Sequence, residues 1–492
     1  MVRGSPSIAS MIKFSVKPLR LLLVTTALSF GLLISGSVPQ KDRTPNIILI
    51  FLDDMGYGDL TVTGALNYRT PNIDRMAAEG TRFTNFLTAQ AVCTASRAAL
   101  LTGCYPNRLG LRGALGPRAP IGLNPDEETI ADLLKEKGYA TAIFGKWHLG
   151  DHPSFLPLAQ GFDEYFGVPY SHDMWPLHPN QAKANYPPLK LIEGNQPAGN
   201  VDNLTDAARL TGAITERATA FIRKNKRKPF FMYVPHPLPH VPLAASEKFI
   251  GKSKRGIFGD VMMEIDWSVG QILAELKKQG LDKNTIVIFT SDNGPWLNYG
   301  DHAGSSGGFR EGKGTSFEGG QRVPCIIRWP GVVPSRRVSN KLLSTLDILP
   351  TLAALSGADL PIKKIDGVNF ESLLKGDDTQ TPRDQFLYYY RKNNLEAVRK
   401  GNWKLVFAHP GRTYEGFAPG KDGQQGQVNE NYSFPGALYN LETDPGERYD
   451  VREQFPEVVA SLEKIAEAAR ADLGDELQNR VGANVRAVGR IK

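Results

Sequence analysis

The stretch "NIILIFLDD", residues 46–54, decides the predicted fold. Its apolar residues from Ile47 to Leu52 do not alternate with polar ones, and the run ends abruptly at Asp53 and Asp54. Runs without alternation are typical of strands that are buried on both faces, as in a parallel sheet. The stretch therefore predicts a central strand with two carboxylates at its carboxyl end.

Three further stretches repeat this pattern of an apolar run that ends in polar residues. They are residues 140–144 before Lys146 and His148, residues 230–234 before His236 and His240, and residues 286–290 before Asp292 and Asn293. Helical patterns lie between them, for example in residues 126–138 and 260–280, and each closes on glycine after lysines. Strands alternating with helices predict an α/β fold with a doubly wound, mainly parallel sheet. Ligands bind beyond the carboxyl ends of the strands in such sheets, so we expect the four polar clusters to meet at one site.

A second, smaller domain is predicted after residue 375. Residues 376–384 are typical of a linker, and short alternating strands joined by turns follow, with a helical pattern in residues 456–473. We therefore expect a large domain at residues 44–375 and an α+β domain, an antiparallel sheet with a helix, at residues 376–492.

The amino terminus has the pattern of a secretory signal. Lys13, Lys17 and Arg20 precede a short apolar run at residues 21–34, and small residues follow it. A signal peptide at residues 1–40 predicts a secreted or periplasmic protein, without stable membrane insertion once the signal is removed. Residues 1–40 contain four basic residues, the three above and Arg3, and no acidic ones. Without them the formal net charge of +7 falls to +3, and a net charge this small gives no indication of a nucleic-acid partner.

The chain has three cysteines, an odd number for an exported protein, so at least one is unpaired or chemically used. Cys325 and Cys104 fit the usual interpretation of a buried cysteine as a small apolar residue, and their pairing stays open. Cys93 lies in "AQAVCTASRAALLTG", where a turn runs into a helix. If the helix begins at Cys93, Arg97 lies on the same face about 6 Å along the axis.

The residues at the strand ends indicate a metal ion and an anion. Asp53, Asp54, Asp292 and Asn293 offer only oxygen ligands, which suit Ca²⁺ or Mg²⁺ rather than zinc. A second group offers positive or switchable charge, which suits a bound tetrahedral oxyanion such as sulfate or phosphate. That group consists of Arg97, Lys146, His148, His240 and Lys313.

These residues carry a resemblance to a known family. The stretch from Cys93 resembles the sulfatase signature C-x-(P/A)-x-R followed by A-A-L-L-T-G. The stretches "LDDMGYGDL", "GKWHLG", "PHVPL", "SDNG", "GKGTSFEGGQRVP" and "LYNLETDPGE" resemble type I, formylglycine-dependent sulfatases in the same order. The resemblance spans residues 46–450 and implies an alkaline-phosphatase-like fold and the hydrolysis of sulfate esters.

The resemblance also implies a role for each site residue. Cys93 is expected to be oxidised to formylglycine, whose hydrated form is the nucleophile, by a formylglycine-generating or an anaerobic sulfatase-maturating enzyme; alanine at position 95 leaves open which. Asp53, Asp54, Asp292 and Asn293, together with the modified Cys93, are expected to bind one Ca²⁺. Arg97 is expected to hold the modified side chain, and the sulfate is expected to be surrounded by Lys146, His148, His240 and Lys313. Either His236 or His240 fits as the sulfate ligand, and the family histidine precedes x-Pro, as His240 does.

The substrate is expected to be a sulfated carbohydrate, a polysaccharide or an oligosaccharide. Residues 170–200 are expected to form a loop at the pocket wall. The candidate substrate contacts are His302, Arg310, His172, Trp175 and His236, with Trp296 as a further stacking candidate. Two alternatives remain: a phosphate ester or phosphonate hydrolase of the same superfamily, and a sulfated-glycan binding protein without turnover.

Overall fold

A computed structural model describes residue 15 and residues 44–179 and 181–491. The predicted signal peptide, residues 1–40, lies outside the described residues apart from Ser15. In the part of the chain that is described, no helix combines the length and the apolar character that crossing a membrane requires.

The described strands are numbered in chain order. They are β1 (Asn46–Leu52), β2 (Thr81–Phe83), β3 (Phe86–Leu87), β4 (Ile121–Gly122), β5 (Ala140–Phe144), β6 (Glu164–Gly167), β7 (Leu189–Glu193), β8 (Gln196–Val201), β9 (Phe230–Pro235), β10 (Thr285–Ser291), β11 (Cys325–Arg328), β12 (Arg337–Ser339), β13 (Leu343–Ser344), β14 (Gln385–Tyr390), β15 (Asn394–Lys400), β16 (Trp403–Val406), β17 (His409–Thr413), β18 (Asn429–Phe434), β19 (Ala437–Asn440), β20 (Gly474–Asp475), β21 (Arg480–Val481) and β22 (Gly489–Arg490).

The described α-helices are numbered in the same way. They are α1 (Pro71–Ala78), α2 (Cys93–Thr102), α3 (Ile130–Glu136), α4 (Gln181–Ala184), α5 (Leu204–Ala207), α6 (Leu210–Lys224), α7 (Ile257–Lys278), α8 (Glu318–Gln321), α9 (Ile348–Ser356), α10 (Glu371–Leu374) and α11 (Pro456–Leu473).

The main sheet has ten strands in the order β12-β2-β11-β10-β1-β9-β5-β6-β7-β8. Its centre is parallel, because β1 pairs in parallel with both β10 and β9, and β5 pairs in parallel with β9 and β6. Antiparallel strands extend both edges. The four strands predicted from the apolar runs are therefore the adjacent strands β10-β1-β9-β5, and the predicted α/β class with a doubly wound mixed sheet is confirmed.

Helices cover both faces of this sheet, which explains why β1 is apolar at successive positions. Ile47, Leu49 and Phe51 pack into one core with residues of α2, α3 and α9. Ile48 and Ile50 pack into a second core, on the opposite face, with residues of α1, α6 and α7. Each such fully buried side chain contributes about 1.5–3 kcal/mol relative to exposure, so neither face of β1 tolerates polar residues.

A smaller antiparallel sheet lies in the carboxyl-terminal part of the chain, as predicted. Its order is β14-β15-β16-β19, and α11 packs against it through Leu462 and Ala466. The hairpin β17-β18 stands beside this sheet. The predicted boundary at residue 375 falls between α10 and β14, and the division into two separable domains stays a prediction.

Residues 170–200 differ from the expected loop. They contain the hairpin β7-β8, which extends the edge of the main sheet next to β6. Leu189 and Val201 bury the inner side of this hairpin against Trp175. The proline and polar residues that indicated a loop belong to the connections and to the exposed side of the hairpin.

Candidate active site

The polar side chains at the ends of four adjacent strands meet at one edge of the sheet. Asp53 and Asp54 follow β1, Lys146 follows β5, His240 follows β9, and Asp292 follows β10. They form, with Cys93, Arg97, His148, Asn293 and Lys313, a group that we call the active-site cluster. Every member is at least nine-tenths buried.

One glycine lets two of these strand ends approach closely. Gly145 has φ of 138°, and a Cβ atom there would lie 2.0 Å from the carbonyl oxygen of Pro235. The backbone N–H of Lys146 donates to that same carbonyl oxygen at 2.7 Å. A side chain at position 145 would push β5 away from β9, so glycine is required for Lys146 to reach the cluster.

The acidic members are held against one another. The N–H of Asp54 donates to Asp292 Oδ1 at 3.0 Å, and Asn293 Nδ2 donates to Asp54 Oδ1 at 2.7 Å. Arg97 ion-pairs with Asp292 at 2.8 Å and with Asp53 at 3.4 Å. Three carboxylates thus share a small buried volume, and one arginine joins two of them.

This crowding favours a bound cation. Burial, and next the negative charge of Asp53, raises the pKa of Asp292 to about 7. Asn293 Oδ1 is buried and has no hydrogen-bond partner in the described structure. Asp53, Asp54 and Cys93 place ligand atoms within 4.8 Å of one another. Clustered carboxylate oxygens, together with the amide oxygen of Asn293 that lacks a donor, fit a hard divalent cation such as Ca²⁺.

The basic members face the same carboxylates. Lys146 Nζ lies 2.5 Å from Asp53 Oδ2, and Lys313 Nζ lies 2.8 Å from Asp54 Oδ1. His240 Nε2 lies 3.5 Å from Asp54 Oδ2. Burial alone would lower the pKa of Lys313, but the charge of Asp54 raises it well above its ordinary value. Lys313 therefore carries charge that an anion bound here would share.

Cys93 is the first residue of α2, as predicted, and its Sγ lies 3.3 Å from Asp53 Oδ1. Burial, together with the charge of Asp53, raises the pKa of its thiol well above the ordinary value. A thiol with a raised pKa stays protonated and is a weak nucleophile. The position is central, but cysteine itself is poorly suited to attack from it.

His148 and Asp54 both adopt left-handed backbone conformations, each with φ of 63°. Such conformations cost about 1–2 kcal/mol for a residue with a Cβ atom, and they concentrate at functional sites. His148 Nε2 lies 2.8 Å from the carbonyl oxygen of Leu115, so Nε2 carries the proton and donates it. Its Nδ1 is buried and has no partner among the described residues, and burial lowers the pKa of the ring. Nδ1 is therefore a free acceptor inside the cluster.

Comparisons with known proteins agree with this geometry. A family model described as "Sulfatase" matches residues 45–358, and one described as "C-terminal region of aryl-sulfatase" matches residues 382–487. This chain belongs to the sulfatase family. It is a sulfuric ester hydrolase, as the resemblance implied.

Relatives and solved structures support the same family over nearly the whole chain. The sulfatase is 39% identical over 470 residues to N-acetylgalactosamine-6-sulfatase of Canis lupus familiaris, and the aligned region covers 91% of this chain and 88% of that protein. It is 40% identical over 450 residues to arylsulfatase A of Homo sapiens, and the aligned region covers 86% of this chain and 87% of that protein. The crystal structure of PsFucS1 sulfatase from Pseudoalteromonas sp. superposes with a TM-score of 0.79 at 29% identity. The superposition covers 91% of this chain and 92% of that chain.

One further residue, which was not predicted from the sequence, contacts the active-site cluster. Ser171 Oγ lies 3.0 Å from Lys146 Nζ and 3.5 Å from His240 Nε2. It follows β6, the fifth parallel strand at the centre of the sheet. The rule that located the other clusters applies to β6 as well, but its only continuous apolar run is Tyr165 and Phe166, which is too short to indicate a strand.

The two histidines of the "PHPLPH" stretch are separated by the structure. His240 lies in the cluster, and its ring centroid is 5.5 Å from that of Trp296. His236 is fully buried, and its Nε2 lies 3.4 Å from Ser268 Oγ on α7. Burial lowers the pKa of His236 to about 4, so it is neutral and belongs to the packing of α7.

The other predicted substrate contacts fall in different surroundings. The ring of His172 lies 5.8 Å from that of His240, beside the cluster. Trp175 is only 3% exposed and packs into the core under β7-β8, so it offers no face for stacking. Arg310 stacks on Phe317 and bonds Glu447, and His302 lies against Gly423, so both contact the carboxyl-terminal part of the chain.

Proposed function

We propose that this sulfatase releases inorganic sulfate from a sulfated carbohydrate, with Cys93 converted to formylglycine and with one bound Ca²⁺. The observation that carries the proposal is the position of Cys93. It begins α2, 3.3 Å from Asp53, inside a buried group of three carboxylates and three permanent cations. A nucleophile for an anionic ester needs this combination of a metal site and positive charge.

The modification and the metal would each supply one part of the chemistry. Formylglycine, when present, supplies a hydrated aldehyde whose hydroxyl is a better nucleophile than the protonated thiol. Ca²⁺, when bound, supplies the positive charge that polarises the sulfate oxygens. The residues that would hold it are Asp53, Asp54, Asp292 and Asn293, with an oxygen of the modified Cys93.

The chain's own residues position the ester and move protons. Lys146 and Lys313 would bind sulfate oxygens, and Arg97 would keep Asp53 and Asp292 in place through its two ion pairs. His148 Nδ1, which has no partner in the described part of the chain, would accept a proton from a hydroxyl on the modified Cys93. His240 Nε2 or Lys313 Nζ would give a proton to the sugar oxygen as the sulfur–oxygen bond breaks.

Carbohydrate is the favoured substrate class because relatives above 25% identity act on or bind sugars by their names. N-acetylgalactosamine-6-sulfatase is one. Another is Ps i-CgsB, whose structure in complex with k-i-k-neocarrahexaose superposes with a TM-score of 0.72 at 30% identity and covers 87% of this chain. The signal pattern in residues 1–40 favours a secreted or periplasmic enzyme, which would meet such glycans outside the cytoplasm.

The test combines a mass measurement with a substrate comparison on protein from the native host. We expect the tryptic peptide of residues 83–97 to carry formylglycine at Cys93. We expect sulfate release from an aryl sulfate to exceed phosphate release from the matching aryl phosphate. Fully active protein with an unmodified thiol would refute the nucleophile assignment. Faster phosphate release would favour the phosphate ester hydrolase, and modified protein that binds sulfated sugars without turnover would favour the binding role.

A further inference from the structure

The segment after β6 places an acidic residue at the edge of the active-site cluster. Ser171 contacts Lys146 and His240 directly, and the next residue, His172, places its ring 5.8 Å from the ring of His240. His172 is fixed there because its Nε2 lies 3.0 Å from the carbonyl oxygen of Pro242. Asp173 is the next residue, and the charges of His240 and Lys313 act on its carboxylate.

Asp173 has an unused acceptor at this position. Its Oδ1 is buried and has no hydrogen-bond partner in the described structure. Burial alone would raise the pKa of Asp173, but positive charge on His240 and Lys313 lowers it below the ordinary value. Oδ1 of this ionised carboxylate is therefore a buried acceptor without a donor, and a buried polar atom without a hydrogen bond costs free energy.

Trp296, which also contacts His240, has an unused donor. Its ring centroid lies 5.5 Å from that of His240, and Lys313 Nζ lies 4.4 Å from the ring centroid. Its ring centroid also lies 4.9 Å from that of Tyr299. Burial is the main cause that raises the pKa of Tyr299 to about 12, and the charge of Asp173 adds to it. The indole Nε1 is buried without an acceptor in the described structure. The ring is thus fixed while its N–H is free.

We propose that Asp173 and Trp296 are specificity residues that bind the sugar ring carrying the sulfate. Asp173 accepts a hydrogen bond from a hydroxyl or amide N–H of that ring, and Trp296 Nε1 donates one to a ring or hydroxyl oxygen. The ring they select is a neutral hexose or N-acetylhexosamine, since the carboxylate of a uronic acid would be repelled by Asp173. This inference rests on the proposed function and names the substrate class of that same site.

The experiment compares two kinds of substrate on the mature enzyme with formylglycine and calcium verified. One kind is 4-methylumbelliferyl sulfate, which has no hydroxyl or amide next to the ester. The other kind is a set of monosulfated neutral hexoses and N-acetylhexosamines, with a monosulfated uronic acid for comparison. For Asp173→Ala, the ratio of kcat/KM on the best sugar to kcat/KM on the aryl sulfate is expected to fall about 10- to 100-fold. For Trp296→Phe, which keeps a ring under Lys313, the same ratio is expected to fall about 3- to 10-fold.

Two controls separate recognition from folding. Asp173→Asn keeps the shape and one acceptor, so its ratio is expected to lie between those of the wild type and Asp173→Ala. Asp74→Asn changes a half-buried carboxylate on α1, whose Oδ1 accepts from Thr70 at 3.2 Å, and is expected to leave the ratio as in the wild type. Melting temperatures of all variants check that each is folded.

The outcomes distinguish this inference from the proposed function. Wild-type turnover of the aryl sulfate alone supports the proposed function, and if no neutral sugar sulfate is then cleaved, the assignment of Asp173 and Trp296 is wrong. An equal loss on both kinds of substrate in Asp173→Ala also overturns it, because that pattern means a general electrostatic or structural role. Preference of the wild type for the uronic acid sulfate overturns the substrate class.

Discussion

Two buried clusters of opposite charges lie in this molecule, and they are organised differently. The active-site cluster joins the ends of β1, β5, β9 and β10. A second group, which we call the structural cluster, joins α8 to the smaller sheet and consists of Glu318, Arg322, Arg399, Lys404 and Glu447. Both are at least nine-tenths buried.

Two fully buried carboxylates make the difference clear. Glu318 faces three cations, with Arg322 at 2.9 Å, Lys404 at 3.3 Å and Arg399 at 3.5 Å. Burial would raise its pKa, but these cations hold the pKa well below the ordinary value. Asp292 has its pKa raised to about 7, by burial and then by Asp53. The cations around Glu318 outweigh its burial, whereas at Asp292 burial and the charge of Asp53 outweigh the ion pair with Arg97, so that a bound divalent cation would be favourable there.

The largest effect is expected from Cys93→Ala, which should abolish activity and leave stability nearly unchanged. Sulfate release should fall at least about 10⁴-fold, because the modified side chain is the proposed nucleophile, while the free energy of unfolding changes by about 1 kcal/mol or less. The matched control is Cys325→Ala in β11, a fully buried cysteine outside both clusters. It should cost some stability and keep activity. Turnover by Cys93→Ala close to that of the wild type would contradict the assignment.

Glu318→Gln should instead lower stability and leave activity nearly unchanged. It leaves Lys404, Arg399 and Arg322 with too little negative charge in a buried place, so the free energy of unfolding should fall by about 3–5 kcal/mol. Calcium content and kcat at a temperature where the variant is folded should stay near the wild-type values. Loss of calcium from this variant would mean that the two clusters are not independent.

Asp292→Ala should affect metal binding more than folding. Calcium content per chain should fall below that of the wild type, and kcat/KM on an aryl sulfate should fall about 100-fold or more. A chelator should lower the melting temperature of the wild type, since a ligand stabilises the state that binds it, and should have a smaller effect on this variant. Equal calcium content in both proteins would remove Asp292 from the ligand set.

The smallest expected effect concerns pH and Glu318. Because its pKa is lowered in the folded chain, its contribution to stability is complete above the unfolded value of about 4.3 and is lost as pH falls below it. The gap in melting temperature between wild type and Glu318→Gln should therefore be widest near neutral pH and should narrow between about pH 5 and pH 3. A gap that is constant over this range would mean that Glu318 acts through packing and not through its charge.

The sequence predicted the centre of the fold well, for a physical reason. Strands buried on both faces carry apolar runs that do not alternate with polar residues, and β1, β5, β9 and β10 contain such runs. The short strand β6 and the exposed hairpin β7-β8 carry no such pattern, so Ser171 and Asp173 were not found. Trp175 and Arg310 were expected at the pocket because of their residue types, but packing placed them elsewhere.

The sequence by itself determined the chemistry available to this protein. The order of Asp53, Cys93, Lys146, His240, Asp292 and Lys313 along the chain, each after an apolar run or in a family motif, was enough to predict a metal, an anion and the sulfatase family. Only the tertiary structure showed that His240 lies beside Asp54 and His236 against α7, that the proton of His148 lies on Nε2, and that Asp173 Oδ1 and Trp296 Nε1 have no partner among the described residues. Those properties depend on which atoms face each other across strands that are far apart in sequence, and local sequence patterns do not contain that information.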